Sequence, residues 1–452
     1  MKFFSLNGKS PAVNFKEAML KSLAPDGGLY FPEFFPKFSE EELENLKGKD
    51  LTEVATQTLL KWVGDDFSEG ELRVMMEEAL NFPLPLIKIG DYYVLELFHG
   101  PTLAFKDVAA RVLARFMSRI LEKEKKTATI LVATSGDTGG AVAHGLGGVP
   151  NVKVVILYPK GMVSKLQEEQ LTRVEPNVAT IEVEGVFDDC QAFAKQAFND
   201  PDLAALNLTA ANSISVGRLL PQMVYYAYVY SQLYPLLTSP LERGRKRAGQ
   251  KISPPLKGGD QEGVEFVVPC GNYGNLCAGV FAREMGFPFS RFLAVTNAND
   301  AAKKYYETGE FKPRATVATL SNAMDIGNPS NFIRIQKVFH DNPDEFRKVI
   351  KAERVDDKET AETIKKVYEK YNYLLDPHTA VAFAGAEKEG ENGLTKVVFS
   401  TASPLKFADV IKENTGIYVD DSEEIKKLKQ KEKRKISIKN NYEELKKALG
   451  NL

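Results

Sequence analysis

Residues 264–276 read Val264-Glu265-Phe266-Val267-Val268-Pro269-Cys270-Gly271-Asn272-Tyr273-Gly274-Asn275-Leu276, and an apolar stretch continues from Leu276 to Met285. The run Val264 to Val268 is apolar and rich in β-branched residues, which predicts a buried strand, and Leu276 to Met285 predicts a helix. Between them, Gly271, Asn272, Gly274 and Asn275 suit consecutive turn or left-handed conformations. The backbone N–H groups of such a turn form an anion-binding nest, and the following helix adds its positive N-terminus. The segment is neither G-x-G-x-x-G nor a Walker A loop, so it points away from a dinucleotide or nucleoside triphosphate. A phosphate cradle and a plain tight turn are its two readings.

The same strand, loop and helix rhythm extends in both directions. Short apolar runs occur at Ile130 to Ala133, Val152 to Leu157, Val178 to Val183, Phe292 to Thr296 and Val397 to Phe399, with amphipathic stretches between them. This alternation predicts an α/β fold with parallel sheets covered by helices on both faces. Residues 1–90 carry helical periodicities, such as Leu43, Leu46, Leu51, Val54 and Ala55, and form an N-terminal accessory domain. Residues 91–125 and 205–420 are assigned to a large α/β domain, 126–204 to a small mobile α/β domain, and 421–452 to a charged C-terminal segment. Residues 242–263 are rich in Gly, Pro and charge and predict a flexible surface insertion. The Lys-rich stretch Lys426 to Lys435 is read in the same way.

Composition narrows the function classes. The 452 residues carry 59 basic and 61 acidic side chains, a formal net charge of -2, so no overall field selects nucleic acid or an anionic membrane. No apolar run has the length of a membrane span, and the start lacks a secretory apolar core, so a cytoplasmic location is expected. Cys190, Cys270 and Cys277 are odd in number and show no C-x-x-C spacing; with four His residues, neither a disulfide framework nor a metal site is expected.

Three further segments carry chemistry. In His99-Gly100-Pro101-Thr102-Leu103-Ala104-Phe105-Lys106-Asp107, Lys106 opens an amphipathic helix. A helix N-terminus disfavours an ammonium and favours the neutral amine, the nucleophilic form. Taken alone, the segment fits a structural lysine as well. Thr134-Ser135-Gly136-Asp137-Thr138-Gly139-Gly140-Ala141 lies between a strand and a helix expected near Ala141. Its glycines allow close backbone approach, and the Ser135 and Thr138 hydroxyls suit an oxyanion, while Asp137 also reads as a helix N-cap. Ser400-Thr401-Ala402-Ser403-Pro404 follows a strand at its carboxyl end, where ligands collect in such sheets, and by itself reads equally as a helix cap before Pro404.

Together, and in this order, these segments resemble the threonine synthase family of fold-type II pyridoxal-phosphate enzymes over nearly the whole chain. Ala24-Pro25-Asp26-Gly27-Gly28-Leu29-Tyr30-Phe31-Pro32 and Leu375-Asp376-Pro377-His378-Thr379-Ala380 resemble its bacterial and fungal branch. The resemblance implies two parallel-sheet α/β domains plus a mainly helical N-terminal domain, with pyridoxal 5'-phosphate held by Lys106. It implies that Gly271, Asn272, Tyr273, Gly274 and Asn275 cradle the cofactor phosphate and that Thr401 meets the ring nitrogen. Asp137 and its loop would face the cofactor hydroxyl and the substrate. Ser135, Thr138, Asn212, Ser213 and Arg218 would hold the substrate, the Arg218 fork suiting a phosphate. The family loop usually has Ser and Phe where this chain has Cys270 and Tyr273, and commonly His at Ser403.

The implied reaction converts O-phospho-L-homoserine and water into L-threonine and phosphate. A phospho-lyase yielding 2-ketobutyrate is the rival within the same chemistry, and a catalytically silent binding protein on the same scaffold is the rival outside it. The implied partners are a small-molecule substrate, with neither nucleic acid nor membrane, in a monomer or homodimer.

Overall fold

The structure, a computed structural model, describes residues 1–238, 263–420 and 422–451. The expected insertion at 242–263 therefore lies outside the described residues, Gly263 apart. Two parallel sheets organise the chain. The larger has six strands in the order Ile350–Arg354, Phe289–Thr296, Val264–Pro269, Thr395–Ser400, Tyr92–Glu96, Leu86–Ile89, and only the last pair is antiparallel. The smaller runs Ile436–Lys439, Val178–Glu184, Val152–Pro159, Ala128–Ala133, Leu208–Thr209, all parallel.

The strands read as unbroken apolar runs because both faces are covered. In Val264–Pro269, Phe266 and Val268 face one core and Val267 the other. The Pro377–Glu389 helix packs on one side of this sheet, while Tyr226 of the Met223–Thr238 helix sets its ring against Phe266, Phe292 and Phe399 on the opposite side. The small sheet repeats the pattern: Leu131 and Val155 belong to one cluster, Ile130 and Val154 to another.

The mainly helical N-terminal region gains detail at this level, and two further expectations are corrected. The N-terminal region adds a three-stranded antiparallel sheet of Val13–Asn14, Lys2–Ser5 and Tyr30–Pro32 to its helices, strands too short to show a period in sequence. Its boundary at residue 90 divides a strand pair, because Leu86–Ile89 is the edge of the large sheet. The Lys-rich stretch at 426–435 is not a free loop: it includes most of the helix Glu423–Gln430, and Lys435 Nζ lies 2.7 Å from Glu182 of the small sheet. Among the described residues, no helix is long and apolar enough to cross a membrane.

Candidate active site

Lys106 is the first residue of the helix Lys106–Glu124, and two backbone ties fix its approach. Phe105 N donates to Thr401 O at 2.8 Å, and Ser403 N donates to Leu103 O at 3.0 Å. The lysine loop is thereby stitched to the loop that leaves Thr395–Ser400, which brings Thr401 beside Lys106. Asp107 turns away: its carboxylate accepts from Thr102 N at 2.8 Å and Thr102 Oγ1 at 2.6 Å. Burial raises the Asp107 carboxyl to a pKa of about 6.

Asp137 faces Lys106 from the small sheet, with Oδ2 3.5 Å from Lys106 Nζ. It is the first residue of the helix Asp137–Leu146, so this helix starts four residues before the expected Ala141 and Asp137 is not its cap. The cap is Gly136, with φ of 130°, a conformation closed to side chains. Thr134 Oγ1 holds the turn by accepting from Gly136 N at 3.0 Å and Gly139 N at 2.8 Å. Ser135 and Thr138 stand half-buried on the same turn.

Burial opposes charge on Asp137, but the ammonium groups of Lys406 and Lys106 and a hydrogen bond from Gln167 outweigh it and hold the carboxyl far below its ordinary range. Burial also lowers the pKa of Lys106; Asp137 opposes this, and Lys406 and Arg218 reinforce it. The lowered pKa makes the neutral amine of Lys106, the form needed for nucleophilic and base chemistry, easier to reach.

The third wall is the loop after Val264–Pro269. Tyr273 adopts φ of 59° and contributes backbone, since its ring packs edge-on against Phe332 inside the protein. Asn272 Nδ2 donates to Ser213 Oγ at 2.6 Å, which joins this loop to the 212–218 segment. Asn331 Nδ2 reinforces the junction through Ser213 O and Asn272 O. Behind it, the buried Arg334 binds Asn331 Oδ1, Ile214 O and Tyr30 O, so the 24–32 motif of the N-terminal region braces the site from outside.

Among the described residues, several buried groups here that can donate have no protein partner: Asn275 Nδ2, Ser215 Oγ and Arg218 Nε. Buried polar groups are ordinarily satisfied, so this cluster of orphans beside a glycine loop and a helix N-terminus fits a bound anionic ligand. Arg218 is fixed by Nη1 donating to Ala211 O at 2.8 Å, and burial lowers its pKa to about 10. All the residues expected at a site, from Lys106 to Thr401, thus lie on three adjoining loop systems at the carboxyl ends of parallel strands. Lys406, Gln167, Asn331 and Arg334 were not expected. Only Lys406 had a local signal, its position directly after the Thr401 loop.

The family profile described as Pyridoxal-phosphate dependent enzyme matches residues 81–401. The profiles described as Threonine synthase N terminus and Threonine synthase, C-terminal match residues 2–80 and 379–449. The threonine synthase of Serratia marcescens is 37% identical over 418 residues, covering 92% of this chain and 91% of its own. The crystal structure of threonine synthase from Escherichia coli superimposes with a TM-score of 0.88 at 35% identity over 100% of both chains. The PLP-bound threonine synthase of Brucella melitensis gives a TM-score of 0.90 at 34% identity, covering 100% of this chain and 99% of its own. With a full-length match in sequence and in fold, this chain belongs to the threonine synthase family of pyridoxal-phosphate dependent enzymes.

Proposed function

We propose that the chain converts O-phospho-L-homoserine and water into L-threonine and phosphate, with Lys106 holding pyridoxal 5'-phosphate and carrying the proton transfers. The observations that support this best are a half-buried lysine of lowered proton affinity 3.5 Å from Asp137 and a glycine loop whose Asn275 amide has no partner among the described residues. When bound, the cofactor supplies an electron sink for carbanions that side chains cannot stabilise. The chain's own residues bind, orient and move protons. The amides of Gly271 to Asn275, with the Asn275 side chain, would hold the cofactor phosphate at the N-terminus of the Gly274–Glu284 helix. Thr401 would offer its hydroxyl to the ring nitrogen, and Asp137 would meet the ring hydroxyl.

Lys106 removes the proton at Cα and then serves Cβ as base and acid. Arg218, Ser213, Asn212 and Thr138 hold the substrate phosphate, Ser135 lies on the same face, and the orphaned Nε of Arg218 is the donor free for that task. Water must reach Cβ from one side only; earlier entry releases 2-ketobutyrate, so the 126–204 unit closes over the substrate. The three buried free cysteines accord with a cytoplasmic setting, and assembly as monomer or homodimer is read by sedimentation.

Purified chain is mixed with pyridoxal phosphate and O-phosphohomoserine, and threonine, phosphate and 2-ketobutyrate are assayed beside Lys106→Ala. A visible band and threonine in the native chain, both lost in the variant, are expected. Predominant 2-ketobutyrate would make the chain a phospho-lyase, and a native chain that stays colourless would remove the cofactor role of Lys106.

A further inference from the structure

Lys406 is a second lysine in the site, and its side chain has 0% exposure. It sits on the turn Pro404–Phe407, directly after the Thr401 loop. An ammonium has three N–H bonds, and Nζ of Lys406 has three acceptors: Thr102 O at 2.8 Å, Gln170 Oε1 at 2.9 Å and Asp137 Oδ1 at 2.9 Å. Thr102 stands on the lysine loop of the large sheet, whereas Asp137 begins one helix of the small-sheet unit and Gln170 lies in the last turn of another. Ser164, the N-cap of Lys165–Thr172, crosses the same seam to donate to Lys406 O at 3.3 Å.

The charges can be counted. Around Lys106 stand Asp137, Lys406 and Arg218, and Asp107 is occupied by Thr102. Around Lys406 stand Asp137, Lys106, Asp107 and His144. One carboxylate, Asp137, therefore serves two lysines. Lys406 is the nearer at 2.9 Å, against 3.5 Å for Lys106. If Lys406 carried no charge, Asp137 would have Lys106 as its only close cation among the described residues and would favour the protonated form of that amine.

We propose that Lys406 is a positioning residue that gives Asp137 a fixed counter-charge across the seam between the two sheet units, leaving Lys106 free to act as a neutral amine. This rests on the role proposed above for Lys106. It adds that an ion pair formed between domains sets the protonation of the reactive lysine, so the amine is poised only where the small unit has docked.

The test uses the full-length, cofactor-loaded chain and the variants Lys406→Met, Lys406→Gln and Lys406→Arg. Rates are followed from pH 6 to 10, the visible band is titrated over the same range, and amide exchange is measured across 137–146 and 165–172. In Lys406→Met and Lys406→Gln, the acid limb of kcat and the spectral titration should both move upward by about one pH unit or more. Activity then falls about tenfold at pH 7 and returns as the pH approaches 9 to 10, with faster exchange in both helices. Lys406→Arg, which keeps the charge, should retain the native titration. Activity lost equally at every pH with an unmoved titration overturns the proposal, as does Lys406→Arg behaving like Lys406→Met. Should Lys406→Met fail to fold, Lys406→Gln decides, since it keeps hydrogen bonding without charge. A native chain with neither visible band nor threonine would instead defeat the reading of Lys106 itself.

Discussion

At Gly271 a side chain has nowhere to go. A Cβ there would lie 2.8 Å from Met324 Cα and 3.0 Å from Ala323 O, both backbone atoms that cannot rotate aside. Gly271→Ala must therefore shift the loop or the 322–324 turn, at a cost of about 1–3 kcal/mol. Because the loop's amides must converge on one phosphate, cofactor affinity should fall further than stability. Fluorescence titration with pyridoxal phosphate beside a thermal melt measures both, and unchanged affinity would mean that the phosphate lies elsewhere. Asn275 gives a complementary test. Its Oδ1 accepts from Tyr226 OH at 2.8 Å, while its Nδ2 is buried without a partner. In the cofactor-free chain, Asn275→Ala removes one hydrogen bond and one unsatisfied donor, so the net change should stay within about 1 kcal/mol. The rise in melting temperature on adding cofactor should shrink by much more. An equal loss with and without cofactor would assign Asn275 to packing alone.

The elements show why some of this was legible in sequence. Strands buried on both faces leave unbroken apolar runs, and a strand-to-helix loop that binds an anion needs glycine and asparagine within a few residues, so both signals are local. The helix Asp137–Leu146 was harder, because Gly139 and Gly140 look like breakers. The structure keeps them helical because Gly139 packs against Thr134, Ile156 and Leu171, with a Cβ coming within 2.5 Å of Thr134 Cγ2. The pairings of Lys406 with Asp137 and of Arg334 with Tyr30 join distant parts of the chain, and no spacing announces them. The same helix carries a pH signature. His144 is half-buried, its Nε2 enclosed without a partner among the described residues, and desolvation lowers its pKa to about 4. The folded value lies below the unfolded value of about 6.5, so this stability is complete above about pH 6.5 and is lost as the pH falls towards 4. Between pH 7 and pH 5 the loss should be about 2 kcal/mol. Urea unfolding at both pH values, native against His144→Leu, measures it. The native chain should lose about that much more than the variant, and equal losses would show that His144 keeps its ordinary proton affinity.

For the whole molecule, the decisive connection is made by the C-terminus, which crosses back to complete the small sheet. Ile436–Lys439 pairs in parallel with Val178–Glu184, setting Ile436 against Ile181 and Lys439 against Glu184. The helix Tyr442–Gly450 then buries Leu445 and Leu449, and Ile438 joins them in the core that holds Cys190 and Phe193. Ser437 Oγ also donates to the buried Glu182 at 2.9 Å. The small unit carries Asp137 and Gln170, two of the three acceptors of Lys406, so its stability and the state of the lysine proposed as catalytic, Lys106, are linked. A chain ending at Lys435 loses three buried aliphatic side chains, on the order of 5 kcal/mol of burial, and leaves Val178–Glu184 as an open edge. The large sheet, with Lys106, Thr401 and the glycine loop, retains its own strands and helices. We therefore expect the truncated chain to bind pyridoxal phosphate weakly and to lose turnover, with amide exchange rising sharply across 152–159 and 178–184 but little across 264–269 and 395–400. Exchange rising equally in both sheets would show that the two units unfold as one body, and unchanged exchange in 178–184 would show that the C-terminal strand contributes nothing to the unit it completes.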